Sequence, residues 1–198
     1  GLAGVACALT RSQGVLISAV FLIEAARQRP RGVRAALPRA FAILAPALGL
    51  LSFLAWRSSV SFPAISEVLL DYWQRVATVP FSVILVTVGR MATGEAGFIE
   101  YIDLLVVAIM LGVGLLMVKR LPFTYFAFFW ILLLFNLSQT RLTQPISSQA
   151  RYALSLFPAF IVLAQLGRSP RANRLILYTS LALWLFLAGQ FMMWGWVG

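Results

Sequence analysis

Long apolar runs broken by short arginine-rich stretches set the rhythm of this chain. A helix that crosses a bilayer needs about 20 apolar residues, with a range of roughly 17–25. Runs over residues 13–26, 40–56, 101–118, 121–137, 151–166 and 175–197 predict six spans. Residues 1–10 read as the tail of one further membrane helix. The first run is short and carries Glu24 near its end. The last closes on Met192-Met193-Trp194-Gly195-Trp196, an aromatic signature of the membrane interface.

The segment over residues 57–100 has a different pattern. Ile65, Leu69, Tyr72, Trp73, Val76 and Pro80 recur at helical spacing, while Glu67, Asp71, Gln74 and Thr78 take the opposite face. This periodicity predicts an amphipathic helix lying on the membrane surface, with Asp71 and Arg75 one turn apart and able to pair. Pro80 ends it. Residues 81–88 are too few to span, and residues 91–97 read as a turn. Prolines punctuate the rest. Arg29-Pro30-Arg31-Gly32 and Leu37-Pro38-Arg39 bracket a short basic segment at the headgroups, and Pro122 opens the next helix. Pro158 frees the carbonyl of Leu154 and predicts a kink in the helix that begins at Arg151.

Composition fixes the solvent. Of 198 residues, 61% are hydrophobic and 11% charged, with a mean hydropathy of +0.91. A water-soluble domain carries about 25% charged residues. The expected fold is therefore all-α: one polytopic membrane helix bundle over residues 1–198, with an outer amphipathic helix in the segment 57–100. A net charge of +10 raises the question of nucleic acid, but the arginines fall between apolar runs, as topology signals do. Arg27, Arg29, Arg31, Arg34 and Arg39, then Lys119 and Arg120, then Arg168, Arg171 and Arg174 mark the cytoplasmic loops. Strict alternation then puts Arg11, the segment 57–100 and the loop 138–150 on the outer face. The partner implied is membrane lipid, with no nucleic acid. Fifteen of the sixteen basic residues are arginine, and with the short loops this points to a bacterial inner membrane over the endoplasmic reticulum.

Histidine is absent and Cys7 is the only cysteine, which removes disulfides, zinc sites and Cys/His nucleophile pairs. No metal site is expected, and Cys7 reads as a small apolar filler. The acids are Glu24, Glu67, Asp71, Glu95, Glu100 and Asp103. Glu24 is placed to pair with the basic loop, and Asp103 to complement a helix dipole from its first turn. Glu67 and Asp71 share one face of the surface helix. None stands out as a general base. The cations carry more chemistry. Arg11 and Arg151 each stand at the outer end of an apolar run, where a guanidinium is costly unless it snorkels or binds an anion such as phosphate. Ser155 lies one turn from Arg151.

Three stretches in this order resemble the PIG-V family, the GPI mannosyltransferase 2 proteins and their bacterial relatives. Thr10-Arg11-Ser12-Gln13-Gly14 resembles its Thr-Arg-Ser-(Asn/Gln)-Gly stretch, and Arg151-Tyr152-Ala153-Leu154-Ser155-Leu156-Phe157-Pro158 its Arg-Tyr-x-Leu-x-x-Phe-Pro stretch. Between them, Tyr72-Trp73-Gln74-Arg75 before Pro80 is similar to its outer segment. The resemblance implies a GT-C glycosyltransferase that moves a sugar, usually mannose, from a polyprenyl-phosphate donor to an acceptor on the outer or lumenal face. It implies that Arg11 and Arg151 bind donor phosphate, and that Trp73, Gln74, Arg75 and Tyr152 line the sugar or acceptor cavity. The chain departs from the family at its start. It opens on Gly1 inside apolar sequence, so the first helix and the acidic outer loop are expected upstream. The expected partner is then the upstream half of the same polypeptide, and the catalytic base lies there. Two rivals remain. A transporter or flippase calls for polar groups at mid-membrane and broken helices, and a non-catalytic membrane subunit calls for tolerant arginines.

Overall fold

A computed structural model of the protein describes residues 1–28, 33–60 and 62–193. The motif around Pro30 and the Trp194–Trp196 aromatics fall outside the described residues. Those described are mainly helical and fall into two compact units, one formed chiefly by residues 1–73 and the other by most of residues 74–198.

In the first unit, α1 (Leu2–Thr10) leads through a 3-10 turn (Ser12–Leu16) into α2 (Ile17–Gln28), followed by α3 (Val33–Ser59) and α4 (Ile65–Asp71). α1 lies against α3 because both present small residues. A Cβ on Gly4 would stand 2.6 Å from Pro46 Cγ, and one on Gly49 would stand 3.1 Å from Val5 Cγ1. Gly14 lets the turn fold back on α1, since a Cβ there would sit 2.2 Å from the Cys7 carbonyl oxygen. Cys7 itself is exposed, not a packed filler. α3 begins at Val33 and runs through Pro38 and Pro46, so Leu37-Pro38-Arg39 does not bound a separate surface segment. Near its start Arg39 donates to Gln28 (3.0 Å), which in turn donates to Glu24 (2.7 Å).

In the second unit, β1 (Arg75–Ala77), α5 (Ser82–Thr93), α6 (Phe98–Met117), α7 (Phe123–Leu137), β2 (Gln139–Arg141), α8 (Gln149–Ala153), α9 (Phe157–Leu166) and α10 (Pro170–Met192) follow in order. β1 and β2 pair antiparallel, with Arg75 opposite Arg141, Val76 opposite Thr140 and Ala77 opposite Gln139. Two segments expected on one side of the membrane are thus hydrogen-bonded together. The core gathers along α6, α7 and α9, where Val107, Met117, Phe129, Leu133, Ala159 and Val162 are buried.

Among the described residues, three helices are long and apolar enough to cross a membrane: residues Ala36–Ser59 of α3, α6 and α10. Leu175, Tyr178, Trp184 and Phe191 of α10 are exposed. Such an apolar face calls for cover by lipid or by another protein surface. α7 and α9 are apolar but have 15 and 10 residues, short of the about 20 that a span needs.

Three expectations give way. The surface helix stops at Asp71, because Gln74 adopts a left-handed backbone (φ 51°) and the β-branched Val76 and Thr78 that follow favour extension. Arg75 therefore sits in a strand, not a turn above Asp71. The single span over 151–166 is two helices with a break at Leu154–Leu156. Pro158, lacking an N–H, sits in the first turn of α9 instead of kinking a continuous helix. Asp103 lies in the second turn of α6, since Gly97 and Glu100 start that helix earlier than periodicity alone suggested.

Candidate functional site at the Tyr152 stack

α8 is five residues long and too short to hold itself. Its N-terminal amides are met by Asp103 of α6: the carboxylate accepts the Ala150 N–H at 3.0 Å, with the Gln149 and Ser148 amides within its reach. A buried side chain from another helix thus does the work of an N-cap, satisfying donors that would otherwise be orphaned. Ser148 takes a left-handed conformation (φ 63°) to turn the chain into this helix. At the other end, the Ser155 hydroxyl donates to the Tyr152 carbonyl at 2.7 Å and closes the turn before Pro158.

So held, α8 presents Arg151 and Tyr152. Tyr152 is 6% exposed, and guanidiniums approach its ring from two residues. The Arg75 Cζ lies 5.4 Å from the ring centroid and the Arg151 Cζ 5.5 Å. Arg75 also donates from Nη1 to the Tyr152 hydroxyl. The strand pairing delivers Arg75 to this point and sets Arg141 directly across from it. Like charges facing each other across a ladder are unfavourable. Two guanidiniums on one ring add to the local positive field. Such a cluster is stabilised by an anion, and Arg151, which is exposed, is the member able to reach one.

Beside α8 runs an apolar groove of about 380 Å³. Val106 and Met110 of α6, Ala153 of α8, Leu163 of α9 and Leu183 and Leu187 of α10 line it. Ala150, Ala153 and Leu154 of the Arg151 segment form one wall, so a cation and a hydrocarbon-sized groove adjoin on one short helix.

The sequence-derived residues divide. Arg75, Tyr152 and Arg151 come together in the second unit. Gln74 is the left-handed residue before β1, and its carbonyl accepts the Leu142 N–H at 3.1 Å, so its backbone has a structural task. Trp73 is exposed in the turn that closes the first unit. Arg11 is exposed between α1 and the 3-10 turn of the first unit. Glu67 accepts the Ala64 N–H at 3.1 Å and starts α4. Among the described residues, no group of acids and Cys could hold a metal.

Sequence reasoning passed over a second polar cluster. Glu100, 1% exposed, accepts from the Gly97 N–H at 2.7 Å and from Arg90 Nε at 3.3 Å. The one available signal was the Gly97-x-x-Glu100 spacing, in which an acid at the third helical position reaches back to the residue before the helix. Comparison with family models, with curated proteins and with solved structures finds no match.

Proposed function

We propose that this chain binds an anionic, lipid-linked donor and serves a membrane glycosyltransferase of the GT-C type. The observation that carries the reading is the adjacency of the Arg75–Tyr152–Arg151 stack to the apolar groove along α6, α8, α9 and α10. A polyprenyl phosphate has the same two parts, a charged head and a hydrocarbon chain. Arg151 takes the phosphate, and its charge offsets the charge that develops as the sugar leaves. Tyr152 and Arg75 hold that guanidinium's surroundings in place. Arg11 enters this reading through the sequence resemblance alone, as do mannose as the sugar and direct displacement with inversion. The acceptor hydroxyl needs a base in this reading, and neither Asp103 nor Glu100, each engaged in holding another segment, takes that role. The reading includes the alternating six-span topology, in which α2, α7 and α9 reach a full crossing with flanking residues or local thinning of the bilayer. It also includes a bacterial inner membrane as the location.

The test is transfer from polyprenyl-phosphate mannose by the full-length protein reconstituted in lipid. Arg151→Ala should lower kcat/KM by about 100-fold, equivalent to roughly 2.7 kcal/mol. Arg151→Lys should recover part of that loss. Wild-type transfer with Arg151→Ala unimpaired refutes the phosphate role. The absence of transfer in the wild type refutes the enzyme reading and leaves a lipid-binding subunit.

A further inference from the structure

The second polar cluster opens as a cleft of about 510 Å³ lined by Arg90, Glu95, Gly97, Glu100, Arg141, Thr143 and Gln144. It is assembled from the turn between α5 and α6 and the loop after β2. Its fixed part is the buried Glu100 with Arg90. Arg90 donates Nε to Glu100 at 3.3 Å and Nη2 to the Glu95 carbonyl at 3.1 Å, while its Nη1 meets no acceptor among the described residues. Gly94, at φ 75°, turns the chain so that Glu95 follows directly on α5. The side chains of Glu95, Thr143 and Gln144 point no hydrogen bond at any described residue. The cleft thus offers unengaged donors (Arg90 Nη1, the Gln144 amide) and unengaged acceptors (the Glu95 carboxylate, the Gln144 carbonyl) together.

The balance of charge decides the ligand class. Two guanidiniums and two carboxylates line the cleft and cancel. A phosphate there would face Glu95 and Glu100, and a cation would face Arg90 and Arg141; both are penalised. A hydroxyl is donor and acceptor at once, so neighbouring hydroxyls match a mixed lining at no charge cost. We propose that this cleft is a binding site for a neutral polyhydroxylated group, a carbohydrate ring. The Glu100–Arg90 pair is the rigid floor, and Glu95, Thr143 and Gln144 make the ring contacts. The site shares Arg141 with the positive cluster around Tyr152, and the rest of its lining is its own. If the transfer reading holds, its ligand is the glycan end of donor or acceptor.

The test uses the whole protein in lipid nanodiscs and methyl α-glucoside and methyl α-mannoside as probes, followed by saturation-transfer NMR. Saturable binding in the millimolar range is expected, not displaced by equal inorganic phosphate. Glu95→Ala and Gln144→Ala should each weaken it by about three- to tenfold, one hydrogen bond's worth, with the unfolding midpoint unchanged. These rim positions are chosen because Arg90→Ala would strand the buried Glu100 and confuse folding with binding. No saturable signal up to about 100 mM, displacement by phosphate, or wild-type binding in both variants overturns the proposal. Since the probes carry neither phosphate nor lipid, this outcome is independent of the donor-transfer assay.

Discussion

Asp103 is the residue on which the Tyr152 stack hangs, and replacing it tests the whole arrangement. It is 2% exposed and accepts the Ala150 N–H at 3.0 Å. Asp103→Leu keeps the branched outline with a larger side chain and removes the acceptor. Leaving a buried N–H unsatisfied costs about 1–3 kcal/mol, and the neighbouring Gln149 and Ser148 amides add to this. Against it stands the relief of burying an apolar side chain in place of a carboxylate, about 1–2 kcal/mol. The net expectation is a loss of about 2 kcal/mol, concentrated on α8 because five residues have no helical reserve of their own. Asp103→Asn keeps one carbonyl acceptor and should cost about half as much. The assay is amide hydrogen exchange in nanodiscs, read at Ala150 and Tyr152, with unfolding in mixed micelles alongside. Exchange at Ala150 should accelerate about 30-fold in Asp103→Leu, which is what 2 kcal/mol of local opening implies. Unchanged protection at Ala150 in Asp103→Leu would refute the claim that this carboxylate caps α8. Equal behaviour of Leu and Asn would show that charge, not hydrogen bonding, is what matters.

Other expectations follow from the same geometry. Gly14→Ala should destabilise the first unit by about 1–3 kcal/mol in micelle unfolding, because its Cβ would overlap the Cys7 carbonyl. Gly89→Ala, with nothing within 4 Å of the new Cβ and a helical backbone, should stabilise by about 0.5–1 kcal/mol. Ser148→Gly removes a left-handed residue and a buried hydroxyl with no partner, so the unfolding midpoint should rise by an amount equivalent to about 1 kcal/mol. Tyr152→Phe keeps both ring contacts and loses the Arg75 hydrogen bond, and should cost about 1 kcal/mol in thermal unfolding while leaving the apolar groove intact.

Apolar periodicity located the long helices because burial in lipid demands length, and length is visible in one dimension. α3, α6 and α10 fall where their hydrophobic runs do. Their ends moved by several residues, since Ser169, whose side chain accepts the Ala172 N–H at 3.2 Å, starts α10 ahead of the apolar run. The outer segment departs from its helical periodicity for a different reason. Residues 65–80 do repeat at helical spacing, but Gln74 and the strand after it answer to β2, more than sixty residues later in the chain. Pairing of that kind leaves no local trace. Trp73, Gln74 and Arg75, adjacent in sequence, consequently part ways: one exposed in a turn, one spent on backbone geometry, one carried to Tyr152.

The same reasoning explains why cations were legible and acids were not. A guanidinium at the end of an apolar run is conspicuous because its cost can be judged from its flanks, and Arg151 was found that way. Asp103 and Glu100 sit inside or at the start of a helix where a carboxylate has ready local explanations. Their actual partners are the amides of α8, some 47 residues on, and the guanidinium of Arg90 across a turn. Both acids are nearly fully buried, and both are spent on holding another segment in place. That leaves neither free to remove a proton from an acceptor hydroxyl, because doing so would release α8 in one case and strand Arg90 in the other. In the proposed transfer, Asp103 and Glu100 are therefore structural carboxylates and not the general base.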